Sequence, residues 1–248
     1  MSIPYIPTGT TKRFFVPRTL AADFDAFLEQ DIPNTVMDFE VIKNWYDKSK
    51  DDYEPRYVRG EIYPDSTKSR YEDTDNNMNI RCSVNSGIQK GNYLIQPNGE
   101  IFLLDWEVAL ESNNAPSRAL RCNMMLKIMR HVNEQEEYDE DGFKMNDDSG
   151  PKDIVIVPSI PANAYRYDGR PEYVTVSGTP GATAGALTLM TVQYNEYTDK
   201  IHVDDTFDWG NETYRIVDVN RVGLPLHGNW GTLKLQARKA EGGLHGYE

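Results

Sequence analysis

Along this chain apolar residues alternate with polar ones more often than they recur at helical spacing, and the clearest alternation is a hairpin pattern that occurs twice. In Gly91 to Val108, GNYLIQPNGEIFLLDWEV, a run holding Tyr93 and Ile95 enters a tight turn at Asn98-Gly99, and a more apolar run follows through an Asp. Asp205 to Val222, DTFDWGNETYRIVDVNRV, repeats the scheme with Phe207, Trp209 and a turn at Gly210-Asn211. Asn-Gly between such runs is a strong hairpin signal, because the turn needs residues that tolerate positive φ. Two related β-rich units are expected.

Around these hairpins the pattern assigns further elements. Met1 to Pro17 holds Pro4, Pro7, Gly9 and Pro17, so it is expected to be an extended arm, either disordered or laid across a neighbouring subunit. Leu20, Phe24, Phe27 and Leu28 fall at helical spacing behind Thr19 as N-cap, predicting a short helix. Val36, Phe39, Ile42 and Trp45 restart that spacing and predict a second helix, although the β-branched Val36, Val41 and Ile42 keep a strand open. Lys48 to Tyr57, charged and with Pro55, serves as a boundary. Strands are expected at Tyr57–Tyr63 and Ile80–Ile88, separated by a long polar loop. Ser117–Val132 reads as one further strand, by the alternation of Leu120, Cys122, Met124, Leu126 and Ile128. Asn146 to Pro151 looks like a linker, followed by a short buried strand at Ile154–Val157, a turn at Pro158 and Pro161, and strands at Glu172–Val176, Leu187–Tyr194 and Leu233–Ala237.

Charge and composition narrow the function classes. The 248 residues carry a net charge of −13, an acidic surface that repels free nucleic acid and anionic membrane. No stretch approaches the roughly 20 apolar residues of a membrane helix, and the N-terminus lacks the apolar core of a signal peptide; synthesis in a cytoplasm is expected. Cys82 and Cys122 form no C-x-x-C pair and read as compact, buried or half-buried side chains.

Candidate chemistry was weighed motif by motif. Glu137, Asp139, Asp141, Gly142 and Asp148 match positions of a calcium loop, but Lys144 stands where an apolar residue belongs and the twelfth residue is Asp rather than Glu. An acidic turn is the plainer reading. The glycine-rich stretch at 178–185 lacks the Gly-Lys-Ser/Thr of a phosphate loop. His131, His202, His227 and His245 lie in separate segments without metal-ligand spacing, and no G-x-S-x-G elbow is present. Asp105-Trp106-Glu107 offers an aromatic platform beside acids, yet it lies on an apolar strand where Trp106 reads as core. Apart from Lys12, Arg13 and Arg18 in the arm, basic residues are scattered. No catalytic, cofactor-binding or metal residue is therefore nominated, and no cofactor is expected.

The order Gly60-Glu61-Ile62-Tyr63, polar loop, GNYLIQPNGEIFLLDW, Leu120-Arg121-Cys122-Asn123 with Leu126-Lys127, and DTFDWGNETYRIVDVNRV resembles the head-completion (head-closure, or stopper) proteins of the neck of tailed bacteriophages. The resemblance covers about Tyr57 to Ala237, and the chain departs from it in being roughly twice a single barrel with a helical N-terminal region. It implies a mainly β fold of two small antiparallel β-barrel-like units with long loops, preceded by an extended N-terminal arm and short helices. The expected division is 1–57 for arm and helices, 58–148 for the first barrel and 149–248 for the second. It implies a structural virion protein, not an enzyme, forming a homo-oligomeric ring between portal or adaptor and tail, through which DNA passes without sequence-specific binding. An alternative is a tail or baseplate β module that binds another virion protein, or a glycan through Tyr165, Tyr167 and Trp230. A hydrolase built on acidic pairs stands last.

Overall fold

The computed structural model describes residues 25–29, 36–64, 77–83, 86–105, 117–132, 152–167, 187–221, 224 and 231–240. The fold is mainly β and consists of two closed, six-stranded antiparallel barrels. The first contains β1 (Val36–Ile42), β2 (Arg56–Pro64), β3 (Asn77–Cys82), β4 (Tyr93–Ile95), β5 (Ile101–Leu104) and β6 (Ser117–Arg121). The second contains β7 (Met124–Val132), β8 (Lys152–Tyr167), β9 (Leu187–Gln193), β10 (Thr206–Trp209), β11 (Glu212–Asn220) and β12 (Thr232–Lys239).

Both barrels have one topology. Around the first the strands run β1-β2-β3-β6-β5-β4, and around the second β7-β8-β9-β12-β11-β10, the same order with each number raised by six. The repeated hairpins β4–β5 and β10–β11 hold the same place in the two barrels. Their entries match atom for atom. Gly91 (φ +87°) and Asp204 (φ +76°) both sit in the left-handed region, and Asp204 is the lone non-glycine to do so among the described residues. The Gly91 N–H bonds the Leu104 carbonyl as Asp204 bonds that of Ile216. The next side chains, Asn92 and Asp205, each accept the N–H three residues back, from Gln89 and His202. Leu94 faces Phe102 as Phe207 faces Tyr214, so Leu94 corresponds to Phe207 and Tyr93 to Thr206. The turns differ in length: β10–β11 closes through Gly210-Asn211 alone, with Gly210 at φ +64°, whereas β4–β5 spans five residues with only Gly99 at positive φ.

Alternating side chains fill each barrel, as a pleated strand requires. Phe39, Val41, Val58, Ile62, Ile80, Cys82, Leu94, Phe102, Leu104 and Ala119 form the first interior. Leu126, Ile128, Val157, Ile160, Phe207, Tyr214, Ile216, Leu233 and Leu235 form the second.

Three expectations are corrected. The segment around Val36–Ile42, expected to be helical, is strand β1, and a 3-10 turn follows at Trp45–Ser49 behind Asn44, whose side chain caps the Tyr46 N–H. Its apolar residues mimic helical spacing because Phe39 and Val41 point into the barrel while Ile42 packs outside it. Ser117–Val132 is two strands of different barrels, broken at Cys122-Asn123. The strands thus divide at residues 122–123 and not at 148/149: residues 133–151 join β7 to β8, two paired strands of one barrel. Finally, Ile154–Val157 is the start of the sixteen-residue β8, which continues through Pro158 and Pro161 instead of turning there. Strand pairing explains the prolines, since β8 pairs with β7 over 152–162 and with β9 only over 162–167, leaving one side without the ladder bond that proline cannot donate. Residues 25–28 form one helical turn, closed by the Glu29 N–H on the Asp25 carbonyl.

Candidate functional site

The feature that sets this chain apart from two barrels on a string is the seam between them. Only Cys122 and Asn123 separate β6 from β7, and both are tied down. The Cys122 N–H bonds Ile101 O in the first barrel at 2.8 Å, and the Asn123 N–H bonds Ala162 O in the second at 3.0 Å. The Asn123 amide completes a two-way bridge with Ala164, donating to its carbonyl at 2.6 Å and accepting its N–H at 2.9 Å. Asn163 reaches back to the Arg121 carbonyl at 2.8 Å.

The first barrel contributes an apolar outer face. Ile42, Tyr93 and Leu103, with Ile95 and Ile101 at its margin, pack into the same cluster as the second barrel's core. This is why the two strand runs of the hairpin, Tyr93–Ile95 and Ile101–Leu104, are apolar at every position: β4 and β5 are covered on both faces, Leu94 and Phe102 inside and Tyr93 and Leu103 in the seam. The corresponding positions of the second barrel, Thr206 and Arg215, are half-buried and exposed. The joint is therefore heterologous, with unlike faces of two like barrels in contact.

Polar groups set the register of the two bodies. Gln193 is 1% exposed, and its amide donates to Lys43 O at 2.9 Å and Gly91 O at 2.6 Å while its oxygen accepts the Trp45 N–H at 2.9 Å. The Tyr93 hydroxyl donates to Pro161 O at 2.6 Å, and burial holds its phenol well above the ordinary tyrosine range. Its ring meets Trp45 edge-on at 5.4 Å. Trp45 Nε1 and the Tyr46 hydroxyl donate to the carbonyls of Ser159 and Pro158 at 3.1 and 2.9 Å, in the part of β8 that β9 does not reach. The backbones nearly touch at Gly91 and Gly231, where a Cβ on Gly91 would lie 2.2 Å from the Gly231 carbonyl oxygen.

Beside this contact lies a cleft of about 210 Å³ walled by both barrels, with Asp105, Arg118 and Asn77 on one side and Asn163, Tyr165, Lys234 and Gln236 on the other. The nearly buried Asp105 carboxylate accepts the Thr232 hydroxyl at 2.8 Å and stands 3.6 Å from Lys234 Nζ, so its partners lie in the second barrel. No family model, curated protein or solved structure matches this chain.

The residues weighed for chemistry are scattered by the fold. Asp105 is a strut of the seam, while Trp106 and Glu107 lie outside the described residues. His131 meets Asp153 at 3.0 Å on the exposed end of the β7–β8 ladder, and His202 precedes the Asp205 turn; His227 and His245 lie outside the described residues. Among the described residues no three His, Cys, Asp or Glu side chains gather into a metal-binding group. The calcium-like segment 137–148, the glycine-rich 178–185, the basic Lys12, Arg13 and Arg18, and Trp230 all lie outside the described residues. Cys82 is buried in the first barrel, its thiol pushed up to about 12 by burial, and Cys122 is half-buried at the seam; both are free. Of the aromatic residues considered for a glycan, Tyr165 lines the cleft. Sequence reasoning missed Gln193, Asn123 and the Gly91–Gly231 contact. The available signal was the unbroken apolarity of the β4–β5 hairpin, which one-sided burial does not require.

Proposed function

We propose that this chain is a structural connector of the neck of a tailed bacteriophage, a head-completion type of protein that assembles as a ring between portal or adaptor and tail. The observation that carries the reading is the tandem of two small closed barrels of identical topology, locked at a fixed angle by the seam. Closed barrels offer a stiff mount for connecting segments. Those segments are long in sequence between β2 and β3 (65–76), β5 and β6 (105–116), β7 and β8 (133–151) and β8 and β9 (168–186). On a rigid scaffold such connections are where contacts with other molecules concentrate. The acidic charge fits a wall past which DNA moves without sticking.

In this reading the chain is made in the host cytoplasm, resides in the virion, and uses no cofactor. Cryo-electron microscopy of purified particles, with mass spectrometry of their protein content, tests it. Density for the paired barrels in a ring at the neck is expected; absence of the chain from intact particles overturns the proposal.

A further inference from the structure

We infer that the free side of β8 at residues 152–157 is the docking edge for the N-terminal arm of a second copy of this chain, which adds as a strand through residues Lys12 to Val16. The inference deepens the ring reading and rests on it only in requiring that copies meet.

Over this stretch β8 is paired with β7 alone: Lys152 faces Val132, Asp153 faces His131, Ile154 faces Arg130 and Val155 faces Met129. Among the described residues no strand pairs with its other side, and the aromatic donors of the first barrel bond β8 only farther on, at the carbonyls of Pro158, Ser159 and Pro161. A strand with one unpaired side presents a row of N–H and C=O groups that accepts an extended segment. The side chains fit the same role. Ile154 and Val155 point to opposite faces of the sheet, as neighbours in a strand must, yet they are 49% and 46% exposed. This end of β8 therefore exposes one large apolar side chain on each face, among the charged Asp153, Arg130 and His131 of the ladder.

The arm has the complementary character. Residues 1–22 contain Lys12, Arg13 and Arg18 and no acidic residue, so the rest of the chain is more acidic than the net charge of −13 states. Pro7 and Pro17 bracket the run Lys12-Arg13-Phe14-Phe15-Val16, the one part of the arm with basic and large apolar residues side by side. Laid along β8, its aromatic residues cover Ile154 and Val155 while its cations approach Asp153, whose side chain is 61% exposed with one oxygen 3.0 Å from His131 Nδ1. The chain enters the described structure beside the first barrel, where Arg59 Nε donates to Leu28 O at 2.5 Å, and the eight residues between Val16 and Asp25 let the docked run lie up to about 30 Å from that point when extended.

The test uses the full-length chain in two populations, one carrying Val16→Cys and the other Ile154→Cys, mixed and treated with a short bis-maleimide. The native thiols give little background, because Cys82 is buried and Cys122 half-buried. A cross-linked pair between the populations is expected in the oligomer. Deleting residues 1–22, or introducing Ile154→Lys with Val155→Lys on a surface that leaves thermal stability unchanged, is expected to raise the half-assembly concentration at least about tenfold. Added salt should weaken assembly in the same direction. A third chain carrying both Val16→Cys and Ile154→Cys is treated alone and dilute: a cross-link within it, with none between the two mixed populations, shows the edge occupied by the chain's own arm and overturns the inference. So does a deletion variant that assembles as the wild type does, an outcome that leaves the ring reading standing. A chain that cross-links as expected yet is missing from particle necks upholds the inference and sinks the neck assignment.

Discussion

The Gly91–Gly231 contact can be measured with an internal control, because Gly91 and Gly99 have the same positive φ. Both have φ of +87°, but a Cβ at Gly99 meets nothing within 4 Å, whereas at Gly91 it would come within 2.2 Å of the Gly231 oxygen and 2.6 Å of its nitrogen. Replacing either by alanine costs the left-handed penalty of an L-residue, about 1–2 kcal/mol. Gly91→Ala must in addition force apart two backbones in different barrels, an overpacking cost of about 1–3 kcal/mol. We expect about 2–5 kcal/mol for Gly91→Ala against about 1–2 for Gly99→Ala. With a urea m-value of about 3 kcal/mol/M, the extra cost of about 1–3 kcal/mol should separate the midpoints of the two variants by roughly 0.3–1 M. Equilibrium urea unfolding followed by tryptophan fluorescence reads this directly, and Trp45, which stands in the seam, reports on the joint itself. Equal midpoints for the two variants would refute the seam contact.

Other perturbations probe the polar part of the joint and the first core. Gln193→Leu leaves the Lys43 and Gly91 carbonyls and the Trp45 N–H without their partner, and should cost about 2–4 kcal/mol in urea unfolding; a loss under 0.5 kcal/mol would contradict the geometry. Tyr93→Phe keeps the ring against Trp45 but strips the Pro161 carbonyl of its donor, an expected loss of about 1–2 kcal/mol by the same assay. For pH dependence, the folded Cys82 thiol ionises near 12 against 9 for the unfolded one, so its contribution is intact below pH 9 and drains as pH rises from 9 toward 12. The loss should approach about 1.4 kcal/mol per pH unit, and Cys82→Ala should remove one proton's worth of slope from stability measured between pH 9 and 10.5.

What the sequence disclosed follows from which surfaces each strand meets. The interior face of each barrel was legible, since Leu126 and Ile128 alternate with exposed Met125 and Lys127. The turns at Asn98-Gly99 and Gly210-Asn211 were legible from their residues. The seam was not, because it adds burial to strands already half-buried and so erases the period that identifies them. Ile42 beside Val41 turned β1 into an apparent helix. Tyr93 beside Leu94 shifted the comparison of the two hairpins by one residue, pairing Tyr93 with Phe207 where the barrels pair Leu94 with it. The division between barrels was hidden for the opposite reason. It consists of two residues, Cys122 and Asn123, bonded into both neighbours, with none of the glycine, serine or charge that marks a tether.

A joint of two residues, bonded on both sides, has no slack. A tether stores a displacement of one domain as lost chain entropy before the other domain moves, whereas a pull on the first barrel here loads the Asn123–Ala164 and Gln193–Gly91 bonds at once. Two like barrels joined in this way are expected to move together, so that a load on one reaches the other through these bonds instead of being absorbed by slack chain.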